Sequence, residues 1–367
     1  MLQNWLEPAD PAALGVTALP EYAFGRQVRF FSSAADLSDV QIGLIGIDAA
    51  TANAVRAELY RLCWATEGLV FADLGNARKS SPDFLTSLLR ELLDGRIFPL
   101  LIGDAPQALQ SLYQAFLAGH DLPSLVCVDD RAPFSLQPDK SPEHYLNIAL
   151  HRRARLFSMG LIGLQAHFVP PPVFDWLERH HYECVRLGRA RAELAELEPL
   201  LRDADLLGFH LRSLKNADAP AQRDASPSGF TLEESCQLCR YAGMSDKLRA
   251  FSLYGFDAEA GTPAEVQRTI QGMAQMIWYF AEGFYNRKSD YPATNEGLTE
   301  YIVDSKGRDG QIVFWKSNKS SRWWIQVPVR TARKYDRHRL IPCSYSDYVR
   351  ACNDELPDRI VNAFKRF

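Results

Sequence analysis

The sequence lacks several features that would assign the protein to a particular class. Lysine and arginine do not outnumber acidic residues (41 against 45, net charge −4), so nothing global indicates binding to nucleic acid or an anionic membrane. No apolar run approaches the roughly 20 residues of a membrane span. Seven cysteines, an odd number in 367 residues, do not suit a disulfide framework. Together with an amino terminus unlike a signal peptide, these absences predict a cytoplasmic protein.

Common sequence signatures of cofactor and nucleophile sites are also missing. Gly43–Gly46 lies within an apolar run and lacks the third glycine and helix start of a dinucleotide-binding loop. There is no Gly-x-Ser-x-Gly nucleophile motif. Hydrophobic residues make up 47% of the chain and charged residues 23%, which excludes a disordered protein and allows a large core.

Apolar runs alternate with amphipathic segments from about residue 40 to residue 290. The runs are rich in Val, Ile, Leu and Phe with little polar alternation, which is typical of strands covered on both faces. They predict strands at 41–47, 68–72, 98–102, 125–128, 156–162, 183–187, 205–210 and 249–255. The segments between them include predicted helices at 51–65, 81–93, 106–118 and 171–181.

Strand–helix repetition at this spacing predicts an α/β fold, in which helices cover both faces of a mostly parallel, doubly wound sheet. Thr262-Pro263-Ala264-Glu265 has the residues of a helix start and predicts a long helix to about Tyr285. We therefore predict an amino-terminal segment (1–40), an α/β domain (41–290) and a carboxyl-terminal extension (291–367).

The carboxyl-terminal extension differs in character from the rest of the chain. Residues 301–367 contain 14 Lys and Arg against 7 Asp and Glu, and the pattern at 311–316 and 322–329 predicts a β-hairpin appended to the main sheet, followed by a helical tail. Interleaved aromatic and basic residues could stack on single-stranded nucleic acid, form a protein interface, or pack the hairpin on the main domain. The acidic chain favours protein over nucleic acid. The candidate partner-binding residues are Trp315, Trp323, Trp324, Arg333 and Lys334.

Ligands of parallel α/β sheets bind beyond the carboxyl ends of the strands, so the residues that follow each apolar run matter most. These residues include Asp73–Asn76, Gly103–Ala105, Asp129–Pro133 and Ser252–Asp257. In order and spacing, the four motifs resemble those of the arginase, agmatinase and formimidoylglutamase family, the ureohydrolases, over about residues 40 to 290. The resemblance implies a three-layer α/β/α sandwich. The carboxyl-terminal third resembles arginase-like proteins of Bacteroidetes bacteria.

The resemblance also implies two manganese ions, held by two histidines and four aspartates, that activate a hydroxide for attack on a guanidino or formimino carbon. Most of the implied ligands are absent from this sequence. Asp129 alone keeps its place, and the other positions are occupied by Ala105, Arg131, Pro133, Tyr254 and Phe256. An arginine supplies hydrogen-bond donors and no acceptor, so Arg131 opposes metal binding. We therefore expect no metal cofactor.

Two interpretations remain open. The favoured one is a catalytically inactive protein of this fold that binds a protein partner or a small ligand, with Arg131 paired to Asp104, Asp129 or Asp130 in place of the metals. The alternative is a divergent hydrolase of linear amidines that uses manganese and nearby carboxylates. The candidate residues of the cleft are Asp104, Asp130, His167, Asp257 and Glu259. The resemblance also makes a homo-oligomer plausible.

Overall fold

The computed structural model describes residues 2–32, 37–117, 122–137, 141, 143–147, 156–292, 294–304, 311–327 and 337–366. Its strands are β1 Leu6–Glu7, β2 Arg29–Phe30, β3 Ile42–Gly46, β4 Phe71–Ala77, β5 Phe98–Ile102, β6 Ser124–Val128, β7 Ser158–Leu164, β8 Glu183–Arg186, β9 Leu206–His210, β10 Ala250–Tyr254, β11 Leu298–Asp304, β12 Gln311–Ser317, β13 Trp323–Gln326 and β14 Leu340–Cys343.

The α-helices alternate with these strands along most of the chain. They are α1 Phe24–Gln27, α2 Ala49–Leu59, α3 Pro82–Asp94, α4 Gln107–Leu117, α5 Pro171–Arg179, α6 Leu187–Ala192, α7 Glu198–Arg202, α8 Leu232–Gly243, α9 Pro263–Tyr285, α10 Tyr345–Cys352 and α11 Asp358–Lys365. No helix within the described ranges combines the length and apolar character that crossing a bilayer requires.

Within the described residues, ten strands form one central sheet in the order β1–β4–β3–β5–β10–β9–β6–β7–β8, and β2 also pairs with β4. Among the pairings that the structure describes in this sheet, only the short one between β1 and β4 is antiparallel. β1 and β2 come from the amino-terminal segment, so that segment extends the sheet. The predicted mostly parallel sheet is confirmed.

Successive side chains of the central strands point to opposite faces and fill two separate cores. Leu100 and Ile102 of β5 join the core under α2, α8 and α9, whereas Leu101 joins the core under α3, α4 and α5. The side chains of Leu100, Leu101 and Ile102 are all fully buried. This arrangement gives the predicted α/β/α sandwich, and it explains why β5 has no polar alternation.

The extension contains a four-stranded antiparallel sheet in the order β11–β12–β13–β14, followed by α10 and α11. The predicted hairpin is present as β12 and β13. Its predicted attachment to the main sheet is wrong, since in the described part of the chain it pairs only with β11 and β14. The second sheet has its own small core, which includes Phe314 and Ile325.

Candidate functional site

A cleft of about 660 Å³ lies at the carboxyl ends of the parallel strands, where the fold predicts a ligand site. The residues after β5, β9 and β10 contribute to its walls. Among the lining residues are Asp48, Asp104, Ala105, Glu143, Tyr145, His210, Arg212, Arg223, Asp224, Phe256, Asp257 and Glu259.

The centre of the site is an ion pair between Arg212 and Asp129. β6 and β9 are paired up to Val128 and Phe209, so the residues that follow them leave the sheet side by side. Arg212 Nε lies 2.6 Å from Asp129 Oδ1, and Nη2 lies 2.9 Å from Oδ2. The two side chains are 5% and 0% exposed. The geometry is that of a bidentate guanidinium–carboxylate pair, which is among the strongest hydrogen-bonded contacts in proteins.

Asp130 shares the same arginine without being fully satisfied by it. Arg212 Nε lies 3.1 Å from Asp130 Oδ1, but neither oxygen of Asp130 accepts a hydrogen bond from the described residues. Burial and the neighbouring negative charge of Asp129 raise the pKa of Asp130 to about 7, although Arg212 and Arg131 oppose the shift. One carboxyl of the pair therefore titrates near neutral pH.

The other carboxyl, Asp129, stays ionised. Burial acts to raise its pKa, but Arg212 and the backbone N–H of Arg131 more than compensate, so its pKa lies below the usual value. The Arg212 pKa is correspondingly raised, since its attraction to Asp129 exceeds the effect of burial. Burial lowers the pKa of His210 to about 3, so this imidazole is neutral at physiological pH.

Aromatic rings occupy the side of the site where the resemblance implies two aspartates. Tyr254 and Phe256 are 0% and 4% exposed. The Tyr254 hydroxyl shares a 2.7 Å hydrogen bond with that of Tyr145, and the two rings meet edge to face. Burial raises the pKa of both phenols well above the usual value, so neither supplies an anionic oxygen. Pro133 is buried as well, and Ala105 is half-buried beside the cleft.

Arg131 lies beside Asp130, one of its three expected partners, rather than against Asp129. Its Nε lies 3.6 Å from Asp130 Oδ1, while its Nη1 lies 3.4 Å from Asp224 and 3.8 Å from Glu143. Its guanidinium also packs over the ring of Phe168. Asp130 is thus its partner as predicted, but Asp129 belongs to Arg212. Sequence reasoning missed Arg212, whose only signal is its place two residues after the end of an apolar strand.

The remaining cleft candidates do not converge on one point. Asp104 and Glu259 are exposed at the rim, and Asp257 is held by Arg223 at 2.8 Å, a contact that lowers the pKa of Asp257. His167 is exposed and packs at a tilt against the ring of Phe168, outside the cleft lining. No group of three or more His, Cys, Asp or Glu side chains in the described residues is arranged to hold a metal ion. The donor set therefore does not fit the implied binuclear manganese centre.

A second buried arginine organises the Asp73–Asn76 motif. Arg56 is fully buried and donates to Asp73 Oδ1 at 2.9 Å, to Asn76 Oδ1 at 2.6 Å and to the carbonyl of Gly75 at 2.7 Å. Gly75 has φ of +84°, and a Cβ there would lie 2.0 Å from the carbonyl oxygen of Glu7, so only glycine fits. This network fixes the end of β4, and its side chains form hydrogen bonds with one another.

The tryptophans considered for partner binding are buried. Trp315, Trp323 and Trp324 are 9%, 7% and 1% exposed, respectively. Trp324 lies under the guanidinium of Arg202, with 4.5 Å to the ring centroid. Of the three sequence-based alternatives, packing of the hairpin on the main domain matches this arrangement, and these rings offer no surface for a partner. Arg333 and Lys334 lie outside the described residues.

Comparison with known proteins shows the fold. No family profile matches the sequence, and no curated protein matches it. Solved structures, in contrast, do match this chain. Trypanosoma cruzi formiminoglutamase with Mn2+2 has a TM-score of 0.60 at 18% identity and covers 68% of this chain and 95% of its own. Formimidoylglutamase from Bacillus subtilis has 0.59 at 13% identity, covering 68% and 89%.

Agmatine ureohydrolase of Thermoplasma volcanium has a TM-score of 0.54 at 14% identity and covers 68% of this chain and 92% of its own. These identities are too low to transfer an activity. The similarity of the structures confirms the sequence-based resemblance at the level of the fold. The chain has the α/β/α fold of these solved hydrolase structures, with an extension beyond the part that they cover.

Proposed function

We propose that this chain is a catalytically inactive, ligand-binding protein built on the ureohydrolase fold. The observation that carries the proposal is the bidentate contact of Arg212 with Asp129, at the centre of the site. A guanidinium supplies positive charge to the carboxylates, as metal ions would, but it provides no open coordination position and no activated water.

Reorganising this centre for metal binding is unfavourable. Arg212 would have to leave a buried carboxylate, and breaking a buried ion pair leaves an uncompensated charge. Hard divalent cations need several oxygen or imidazole ligands, whereas the two carboxylates of this centre, Asp129 and Asp130, are already flanked by arginines and buried phenol rings. The alternative of a manganese-dependent hydrolase has no comparable observation in its favour.

The chemistry of the rim indicates the class of ligand. Asp104, Glu143, Asp224 and Glu259 all line the cleft, whereas Arg223 is already paired with Asp257. Glu143 and Asp224 partly compensate Arg131, while Asp104 and Glu259 make no ion pair within the described residues and feel only the more distant charge of Arg223. Acidic side chains outnumber the two arginines, Arg212 and Arg223, in the lining, and an excess of one sign of charge in a cleft concentrates ligands of the opposite sign. We infer that the cleft binds a small molecule that carries a positively charged group.

Calorimetric titration tests this proposal with agmatine, a diamine-like dication, against succinate at equal ionic strength. Agmatine should bind, succinate should not, and manganese-supplemented protein should release no urea from agmatine or arginine. The double variant Asp104→Asn/Glu259→Gln should weaken agmatine binding about tenfold, whereas Glu355→Gln, an exposed acid in the loop between α10 and α11, should not. Urea release, or binding of agmatine that the rim variant does not alter, would contradict the proposal.

A further inference from the structure

A second cleft, of about 560 Å³, lies at the opposite end of the central sheet from the candidate site. It is formed where β3, β5 and β10, three neighbouring strands, begin. Gln41, Arg96 and Arg249 stand within two residues before these strands and line the cleft. Arg287, which follows α9, closes another wall. Nothing in the fold comparison assigns a role to this end of the sheet.

The lining of this basal cleft is strongly positive. It includes five basic side chains, Arg96, Lys247, Arg249, Arg287 and Arg337, but only one acidic side chain, Asp246. Two of the cations have acidic partners behind the wall: Lys247 Nζ lies 2.6 Å from Asp203, and Arg337 pairs with Asp205. The remaining three arginines carry the excess charge.

Arg96 and Arg249 are exposed, and neither has an Asp or Glu oxygen within 4.0 Å in the described ranges. Arg249 instead makes a long 3.5 Å contact with the carbonyl of Leu93 and lies over the ring of Phe116. Asp246 is engaged elsewhere, since it accepts the backbone N–H groups of Ser289 and Asp290. Both guanidinium groups therefore retain donors for a ligand.

Arg287 is held rigidly at the back of the cleft. It donates to the carbonyls of Gly243 at 3.0 Å and Leu248 at 3.1 Å, and its guanidinium lies 3.6 Å from the centroid of the Phe284 ring. Burial lowers its pKa to about 9, with Arg322 adding to the effect and Asp246 opposing it. A second anion beside Arg287 would relieve this cost of burying a cation.

We propose that the basal cleft is a binding site for a small molecule carrying phosphate or carboxylate groups. Planar guanidinium groups match both oxyanions through pairs of parallel N–H donors, and three arginines with incomplete acidic compensation surround one cavity. The site is independent of the cleft at the carboxyl ends of the strands, so the two proposals fail or succeed separately.

Titration calorimetry of the full chain with pyrophosphate and with citrate, each against chloride at equal ionic strength, tests this inference. At least one oxyanion should bind saturably with one site per chain, and the stronger of the two identifies the ligand group. In Arg96→Gln/Arg249→Gln the affinity should fall by tenfold or more, because two charge-assisted contacts are lost. Both side chains are exposed, so the variant should remain folded, which its thermal unfolding checks.

Arg268→Gln is the matched control. Arg268 is an exposed arginine in the first turns of α9, roughly 25 Å along that helix from the end that bears Arg287, at 1.5 Å per residue. The Arg268→Gln substitution removes one positive charge from the same molecule and should leave oxyanion binding unchanged. Absence of saturable binding to the wild-type chain, or equal weakening by the basal and control variants, would overturn the inference.

Discussion

At the residue scale, the central feature is that an arginine, rather than metal ions, balances the carboxylates after β6. The sequence predicts that most of the metal ligands implied by the resemblance are replaced, because each departure from the motif stands at a definite position. It was not sufficient to identify the balancing cation. Arg131 lies inside the motif and Arg212 lies 83 positions after Asp129, and only the pairing of β6 with β9 brings Arg212 next to Asp129.

Arg212→Met tests how strongly the pair contributes to the fold. The variant keeps much of the apolar bulk but leaves Asp129 buried without its counterion, so the free energy of unfolding at pH 7 should fall by about 3–5 kcal/mol. Urea denaturation followed by circular dichroism measures the change. Arg223→Met, which removes an 85% exposed arginine from its pair with Asp257, should have little effect. Equal losses in the two variants would contradict a dominant buried pair.

The raised pKa of Asp130 predicts an unusual pH dependence of the protein's stability. Its folded-state pKa of about 7 lies above the unfolded value near 4, so the folded protein binds the proton more tightly. The stabilising contribution of the Asp130 proton to the free energy of unfolding is fully present below about pH 4. It is lost as the pH rises through 7, by at most about 1.4 kcal/mol per pH unit.

Asp130→Asn should therefore flatten the fall in unfolding free energy between pH 4 and pH 7. Chemical denaturation at a series of pH values measures the slope. Asp94→Asn, at an exposed carboxylate at the end of α3, is the control and should retain the wild-type slope. A variant Asp130→Asn with an unchanged slope would show that Asp130 does not titrate in this range.

At the element scale, the central strands and the long helix were predictable because burial on both faces and helix capping leave strong local signals. β4 shows where such signals mislead. The predicted strand ended at residue 72, but β4 continues through Asp73 and Asn76 to Ala77. These polar residues look like a strand end, yet Arg56 on α2 and Tyr60 satisfy them within the core. The partners come from elsewhere in the chain, so no local pattern reveals them.

The start of α9 provides a test of local capping. Thr262 accepts the N–H of Glu265 and forms a complete capping box, whereas Ser81 precedes α3 with the same following proline but makes no side-chain capping bond. Thr262→Ala should lower the free energy of unfolding by about 1 kcal/mol, and Ser81→Ala by only a few tenths. Denaturation midpoints of the two variants measure the difference. A larger loss for Ser81→Ala would contradict the assignment.

At the scale of the whole molecule, Arg202 on α7 links the central domain to the second sheet. It is 5% exposed, pairs with Glu198 at 2.9 Å, and donates to the carbonyls of Trp323 and Cys343, each at 3.1 Å. The sequence predicted a hairpin in this region but not its separate sheet, because strand order between distant segments depends on such contacts rather than on local pattern.

Arg202→Met should weaken this link, because the main-chain carbonyls lose a charged donor in a buried setting. We expect a loss of about 2–4 kcal/mol in unfolding free energy. Three of the seven tryptophans lie in the second sheet, so tryptophan fluorescence should change before circular dichroism as urea increases. Arg189→Met removes an exposed arginine and should keep the two transitions together. Coincident transitions in Arg202→Met would contradict a linking role.

The candidate site and the basal cleft occupy opposite ends of one sheet, and the central claim concerns the former: Arg212 provides the charge that metal ions would otherwise supply. Elemental analysis of the wild-type chain after dialysis with excess manganese, followed by removal of free metal, tests this claim most directly. The account predicts essentially no manganese bound to the protein. One or two equivalents per chain would contradict it and would restore the manganese-dependent hydrolase as the better explanation.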